Sequence, residues 1–230
     1  MIKRRGVLGL MVASSAAVLA GCDPFARSAT YRFKMTVEVQ TAQGMKSGSS
    51  VMQVVADKGS FKLGDTTGNG AGLRGEAVVV DLPNGPVFAL LTMGDGKGGF
   101  AGPITEALSP GAKGQSFDDM WAAVRKLADA SDGEYKGELP SSSWPIMVRF
   151  RDLNDPKSVE KVDPSSIGVK RIWLETTEGE MTVGIEKRLG WLNRNSIFFE
   201  PGPGYDPYQQ DKVTIAQEIE ARFFSTELPK

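Results

Sequence analysis

The chain of 230 residues contains no histidine, and its 27 basic and 28 acidic residues leave a formal net charge of −1. Without histidine, a Ser-His-Asp triad, a Cys-His pair and His-based metal sites are excluded. The single cysteine excludes an intrachain disulfide and a multi-cysteine metal site. The balanced charge gives no reason to expect nucleic-acid binding. We therefore expect no metal, no other cofactor and no nucleic-acid partner.

Long apolar runs are also missing from the sequence. A helix that spans a bilayer needs about 20 apolar residues, whereas the stretch from Val7 to Leu19 has thirteen apolar or small residues. Lys3, Arg4 and Arg5 precede it. This order of a basic segment and a short apolar core is typical of a secretory signal peptide. The Arg4-Arg5 pair leaves both the general secretory route and the twin-arginine route open.

The apolar stretch ends in Leu19, Ala20, Gly21 and Cys22, which closely resembles the lipobox of bacterial lipoproteins. The resemblance implies that the Cys22 thiol takes a diacylglyceryl group and that the signal peptide is cut before Cys22. It also implies acylation of the new amino group, by a fatty acid such as palmitate. Two or three acyl chains attach a protein stably where one chain binds only marginally. The alternative is an ordinary signal peptide with an incidental cysteine.

These features predict the organisation and location of the chain. We expect a signal peptide at residues 1–21, a lipid-anchored tether at 22–30 and one folded domain at 31–230. Asp23, directly after the cysteine, resembles the signal that retains some lipoproteins in the inner membrane. The prediction is therefore a protein of the bacterial cell envelope on the periplasmic face, with the inner membrane favoured over the outer.

Alternating apolar and polar residues predict several strands in the mature chain. Tyr31–Gln40 alternates throughout, which indicates a strand with one buried face. The other predicted strands are 49–56, 76–82, 87–93, 146–150 and 169–176. Turns are expected at 41–44 and at Pro83-Asn84-Gly85, because Asn-Gly favours the positive φ of a hairpin turn. The glycine-rich segment 64–75 is predicted to be a mobile loop.

One helix is predicted with clear boundaries. Ser116 and Asp119 resemble a capping box, and the apolar stripe behind them consists of Phe117, Met120, Trp121, Val124 and Leu127. A short helix is predicted at 184–192, and 213–224 fits helix better than strand. Consecutive hairpins with one or two packed helices predict an α+β fold with a mostly antiparallel sheet.

Two other motifs do not support a ligand site. Gly94–Gly99 matches G-x-G-x-x-G, but a dinucleotide site needs a helix directly after it, and we expect Phe100–Pro103 not to start one. Arg151–Pro156 resembles the start of a calcium loop, but proline stands where a third oxygen ligand belongs. An Asn-Asp-Pro turn is the better interpretation of that segment.

A loop rich in proline, glycine and aromatic residues is predicted at 195–208. Its rings, Phe198, Phe199, Tyr205 and Tyr208, form a candidate binding loop, because aromatic residues dominate many recognition surfaces. The simpler interpretation, which we favour, is that these rings close one end of the core.

Several stretches of the mature chain resemble a family of uncharacterised bacterial envelope proteins. They are YRFKMTVEVQ, GSSV, GEAVVVDLPNG with FALL, FRDLNDPKSVEKVDP, GIEKRLGWL and the terminal FFSTE. The resemblance implies no activity and no catalytic residue.

The sequence thus predicts a membrane-anchored envelope lipoprotein with a non-catalytic role in structure or protein interaction. Its partners would be the membrane, through the lipid on Cys22, and other envelope proteins. The first alternative is a periplasmic carrier of lipid or another hydrophobic ligand. The second is a hydrolase that uses a pair of carboxylates.

Overall fold

A computed structural model describes residues 27–59, 69–93, 99–111, 116–193, 215 and 219–228. Within them the strands are β1 (Arg27–Thr41), β2 (Gly44–Lys58), β3 (Gly70–Arg74), β4 (Val78–Leu82), β5 (Gly85–Met93), β6 (Lys136–Glu138), β7 (Pro145–Phe150), β8 (Val159–Val162) and β9 (Val169–Thr176). The α-helices are α1 (Ala101–Leu108), α2 (Phe117–Ala128) and α3 (Ala221–Phe224). Short 3-10 helices cover Ser141–Ser143, Pro156–Ser158 and Ile185–Lys187. The predicted α+β class is confirmed.

The strands form two antiparallel sheets. Sheet I has the order β3-β2-β1-β9-β6, and sheet II has the order β4-β5-β7-β8. All pairings in both sheets are antiparallel. Along the chain, β1–β3 lie in sheet I, β4 and β5 in sheet II, β6 in sheet I, β7 and β8 in sheet II, and β9 in sheet I. The two sheets are therefore interleaved in sequence and meet where β2 lies against β4.

Strand β1 follows the predicted alternation but is longer than predicted. Tyr31, Phe33, Met35, Val37 and Val39 are buried on its inner face. The strand starts at Arg27, so residues 27–30, predicted as tether, are part of the sheet. Their backbone pairs with the end of β2, from Arg27 opposite Lys58 onward. This pairing depends on backbone hydrogen bonds, which the side-chain pattern does not reveal.

Two apolar clusters lie on opposite faces of sheet II. The first is shared by the inner face of sheet I, helices α1 and α2, and one face of sheet II, for example Met147. The second contains Val148 from the other face, together with Ile185, Leu189 and Phe224 from the C-terminal part of the chain. A strand that is buried on both faces is apolar at consecutive positions, as β7 is.

Helix α2 confirms its prediction. The Ser116 side chain accepts a hydrogen bond from the Asp119 amide at 3.2 Å and so caps the helix. Trp121, Val124 and Leu127 are buried along one face.

Helix α1 contradicts the expectation that Phe100–Pro103 cannot start a helix. It begins at Ala101, with Pro103 in its first turn. The first amides of a helix have no partner inside it, so a proline there removes no hydrogen bond. Residues 94–98 of the preceding glycine motif lie outside the described part of the chain.

Three further predictions need correction. Residues 70–74 are not a loop but strand β3, because the β2 backbone offers an edge to pair with. The predicted helix at 184–192 is limited to a 3-10 turn at Ile185–Lys187 that follows Gly184, whose φ is +113°. Of 213–224, Ile215 and Ala221–Phe224 are helical but residues 219–220 are not, so the predicted helix is interrupted; residues 213, 214 and 216–218 lie outside the described residues.

The turn predicted near Pro156 is confirmed. Asp152 accepts a hydrogen bond from the Asn154 amide at 2.9 Å, and Asp155 accepts one from the Lys157 amide at 2.9 Å. Both carboxylates thus stabilise their own turns.

Candidate functional site

The residues that the sequence singled out lie outside the described part of the chain. These are Leu19, Ala20, Gly21 and Cys22 of the lipobox, and Phe198, Phe199, Tyr205 and Tyr208 of the aromatic loop. The structure therefore leaves these predictions as they stand. What it adds is the position of Arg27, the first residue of β1, five residues after Cys22.

A cleft among the described residues lies between the two sheets, and we call it the inter-sheet cleft. Its volume is about 430 Å³. It opens where the β1–β2 turn stands opposite the β4–β5 turn and the loop that leads into β9. The lining residues are Thr41, Ala42, Gln43, Leu82, Pro83, Asn84, Gly85, Val87, Arg149, Ser166 and Ile167.

Local hydrogen bonds fix the β1–β2 turn at the mouth of the cleft. The Thr41 hydroxyl donates to the Gly44 carbonyl at 2.8 Å and accepts from the Gln43 amide at 3.1 Å. Gly44 has a φ of +107°, which favours glycine. The turn therefore has a defined conformation, and Ala42 and Gln43 at its tip are exposed.

The loop before β9 is fixed in the same way. The Asp163 carboxylate accepts hydrogen bonds from the Ser165 hydroxyl at 2.6 Å and the Ser165 amide at 3.2 Å. These bonds hold the pKa of Asp163 below its usual range. At the end of the loop, the Gly168 carbonyl accepts from the Gln40 amide at 2.9 Å. Ser166 and Ile167 are thereby held against the end of β1.

The charge of the cleft comes from Arg149 of β7. Its Nε lies 3.1 Å from Oε2 of Glu160, and its Nη2 lies 3.1 Å from the same oxygen. Arg151 contacts the other carboxylate oxygen of Glu160, also at 3.1 Å. Two arginines thus share one carboxylate, which leaves a net positive charge at this end of sheet II.

A second feature is the carboxylate of Glu76, which is only 3% exposed. It accepts hydrogen bonds from the amides of Gly184 at 2.8 Å and Ile185 at 3.0 Å, and the Ser225 hydroxyl lies 3.4 Å away. Burial raises the pKa of Glu76, and the bonds from Ile185 and Gly184 oppose that rise. Because its partners come from positions more than a hundred residues later, Glu76 holds the C-terminal part of the chain against β4.

The third feature is the outward face of sheet I. Arg171 forms two hydrogen bonds with Glu38, at 2.8 and 3.0 Å, and its guanidinium lies 5.5 Å from the centre of the Trp173 ring. The hydrogen bonds to Arg171 hold the pKa of Glu38 below its usual range. Beside this group, Lys34 forms an ion pair with Glu175. A tryptophan among charged residues thus lies on an outward face of the domain.

The burial of Glu76 sets it apart from the other carboxylates. It is the one buried carboxylate in the described ranges, and backbone amides surround it. No group of three or more Cys, Asp or Glu side chains within the described ranges is arranged to hold a metal ion. The carboxylate of Glu76 therefore stabilises the fold through hydrogen bonds to the Gly184 and Ile185 amides.

Comparisons with known proteins give no relative: no family model, curated protein or solved structure matches the chain significantly. Across the residues that the structure describes, no helix is long and apolar enough to cross a membrane.

Sequence reasoning missed both Glu76 and Arg149. Arg149 lies in β7 and Arg151 directly follows the strand, so the two arginines flank the buried Phe150. What the sequence lacked was the pairing of β7 with β8, which brings Glu160 opposite Arg149.

Proposed function

We propose that this chain is a lipoprotein of the bacterial cell envelope, anchored through Cys22, with a folded domain that binds a protein partner without catalysis. The start of β1 at Arg27 supports a domain close to the membrane. Arg27 of β1 comes five residue steps after Cys22, and such a span reaches roughly 17 Å at full extension. This span supports a tether shorter than the predicted segment 22–30. Asp23 favours the inner membrane, with the domain on its periplasmic face.

The observation that carries the binding role is the pairing of Trp173 with Arg171 on the outward face of sheet I. Tryptophan and arginine are enriched among the residues that dominate protein–protein binding energy. Glu38 holds Arg171 in place through two hydrogen bonds, so the guanidinium and the ring are ordered before a partner arrives. Pre-ordering lowers the entropy cost of association.

The anchor is tested by sucrose-gradient fractionation of the wild type and Cys22→Ala, with the mass of the N-terminal peptide. We expect the wild type to float with inner membrane and to carry an acylated Cys22 at its new N-terminus. The Ala variant should leave the membrane fraction. A soluble wild type with an unmodified cysteine contradicts the anchor, whatever the domain binds.

The interaction face is tested by a photo-crosslinking amino acid at Thr36, which is directly opposite Trp173 in the β1–β9 register. We expect a discrete adduct in cells that Trp173→Ala abolishes. A crosslinker at Lys161, an exposed residue of β8 in the other sheet, is the matched control and should give no such adduct. Adducts that are equal at both positions, or unaffected by Trp173→Ala, contradict this face as the binding surface.

The carrier of a hydrophobic ligand remains the second candidate, because the inter-sheet cleft offers a place for a ligand. Its floor contains Leu82, Val87 and Ile167. Native mass spectrometry of the protein purified from cells tests whether it carries a tightly bound hydrophobic ligand. Co-purified lipid supports the carrier, and a bare mass equal to that of the processed chain contradicts it.

A further inference from the structure

We propose that the inter-sheet cleft binds a small organic carboxylate that carries an apolar group, such as the C-terminal residue of a peptide. The cleft combines an apolar floor of Leu82, Val87 and Ile167 with a polar rim. Its volume of about 430 Å³ lies within the usual 300–1,000 Å³ of small-molecule sites. This proposal goes beyond the anchor and beyond the outward face of sheet I, and it depends on neither.

The charge of the lining residues determines which ligand charge the cleft favours. Arg149 is the one charged residue among the lining residues. Its Nε and Nη2 contact Glu160, while Nη1 has no hydrogen-bond partner among the described residues. Because Arg151 also contacts Glu160, the carboxylate is shared and a net positive charge remains at the rim. A guanidinium binds a carboxylate through charge-assisted hydrogen bonds.

The remaining polar groups favour a carboxylate over a phosphate. Gln43, Asn84 and Ser166 at the rim are neutral, so a doubly charged phosphate would find a single arginine as its counter-charge. A monoanion matches the net charge. The amides of Gln43 and Asn84 both donate and accept, which suits a ligand with a peptide or acyl-amide group beside its carboxylate.

The walls of the cleft are formed before any ligand binds. The two turns and the loop at its mouth each contain a glycine with positive φ, namely Gly44, Gly85 and Gly168. Hydrogen bonds within Thr41–Gly44 and Asp163–Ser166 hold the first turn and the loop. A preformed site loses less entropy on binding than a mobile one.

The test uses the full chain as the cell processes it, in lipid nanodiscs with empty nanodiscs as the blank. A chain that proves not to be anchored is measured in the same buffer without nanodiscs. Binding of N-acetylphenylalanine and of its C-terminal amide is followed by ligand-observed saturation-transfer NMR and equilibrium dialysis. We expect the acid to bind at least about tenfold more tightly than the amide, because one charge-assisted hydrogen-bonded pair is lost.

Three variants locate the site. Arg149→Gln should remove the preference for the acid over the amide. Lys161→Gln is the matched control, because Lys161 is an exposed cation of the same sheet that does not line the cleft, and it should keep the preference. Ala42→Trp, at an exposed turn position, should block both ligands by filling the mouth. Unchanged circular dichroism and thermal unfolding establish that each variant is folded.

Binding of hexanoate, with hexanamide as its uncharged control, distinguishes two classes of ligand that share a carboxylate and an apolar group. If hexanoate binds as tightly as N-acetylphenylalanine, the ligand is a simple amphiphilic carboxylate; if only the acyl amino acid binds, it is a peptide terminus. The proposal is overturned if the folded wild type binds neither acid, or if the amides bind as tightly as the acids. Binding that survives Ala42→Trp, or an equal loss of the preference for the acid in Arg149→Gln and Lys161→Gln, also overturns it. Should Arg149→Gln fail to fold, the Ala42→Trp result decides.

Discussion

Gly48 of β2 lies directly against the backbone of Val79 in β4, and a Cβ atom at position 48 would overlap the Val79 carbonyl oxygen. The contact joins two sheets that share no strand. It lies between backbones, so neither partner has a flexible side chain that could move aside. The absence of a side chain at residue 48 is therefore what allows sheet I to meet sheet II at this point.

The first prediction is that Gly48→Ala destabilises the domain by about 1–3 kcal/mol, the usual cost of overpacking. Gly72→Ala in β3 is the matched control, since a Cβ there has no neighbour within 4 Å. The free energy of unfolding from denaturant titration compares the two variants. Equal stability of Gly48→Ala and Gly72→Ala would show that the sheets do not meet as described.

The second prediction concerns the buried hydroxyl of Tyr31, which lies 2.9 Å from the Thr105 hydroxyl. Thr105 donates to the Ala101 carbonyl at 2.7 Å, so Tyr31 is the donor in this pair. Burial raises the pKa of Tyr31, and the donor therefore keeps its proton at high pH. Tyr31→Phe should lower the free energy of unfolding by about 1 kcal/mol.

A double-mutant cycle with Thr105→Val isolates that bond. We expect a coupling of about 0.5–1.5 kcal/mol between the two positions, because a single hydrogen bond joins them. Additive effects of the two substitutions would mean that the hydroxyls do not contact each other. Tyr135→Phe, in which the hydroxyl of a half-buried tyrosine is removed, serves as the control and should change stability little.

The third prediction concerns the loop that forms one wall of the inter-sheet cleft. Gly168 has a φ of +82°, and a Cβ there would lie 2.5 Å from the Gln40 carbonyl oxygen. Gly85 has a φ of +105° but no atom within 4 Å of the added Cβ. Both alanine variants should lose about 1–3 kcal/mol through backbone strain, and Gly168→Ala should lose roughly 1 kcal/mol more through overpacking. Chemical denaturation measures the difference. A smaller loss at Gly168 than at Gly85 would contradict the packing of the loop on β1.

Short sequence patterns predicted the elements that depend on neighbouring residues. The elements that depend on pairing between distant strands were not predicted. The alternation at Tyr31–Gln40 and the cap at Ser116 are properties of neighbouring residues, and both predictions are confirmed. Strand β3 has the sequence GAGLR, which has no strand pattern, and it forms because the β2 edge supplies partners. The shared carboxylate of Glu160 likewise depends on the β7–β8 register. Which strands pair cannot be predicted from these local patterns, since strand order is a property of the whole chain.

Glu76 also illustrates this limit, because its amide donors at Gly184 and Ile185 are 108 and 109 positions away. Its pKa is raised from an ordinary value of 4.5, chiefly by burial, and the nearby charge of Glu186 adds to the rise. A carboxyl group whose folded pKa exceeds its unfolded pKa binds more protons in the folded state. Its contribution to stability is therefore complete below the unfolded value and is lost as the pH rises through the folded value.

The fourth prediction follows from this loss of stability with rising pH. As the pH rises from below 4.5 towards neutral, the wild type should lose stability relative to Glu76→Gln, which cannot ionise, and the difference should level off above the folded pKa. Glu186→Gln removes the neighbouring negative charge and should shift this loss to lower pH. Denaturant titrations at intervals of half a pH unit measure all three proteins. A stability difference that is independent of pH would mean that the amides of Gly184 and Ile185 balance burial and leave the pKa of Glu76 unshifted. A difference that rises with pH in favour of the wild type would mean that they outweigh burial and lower it.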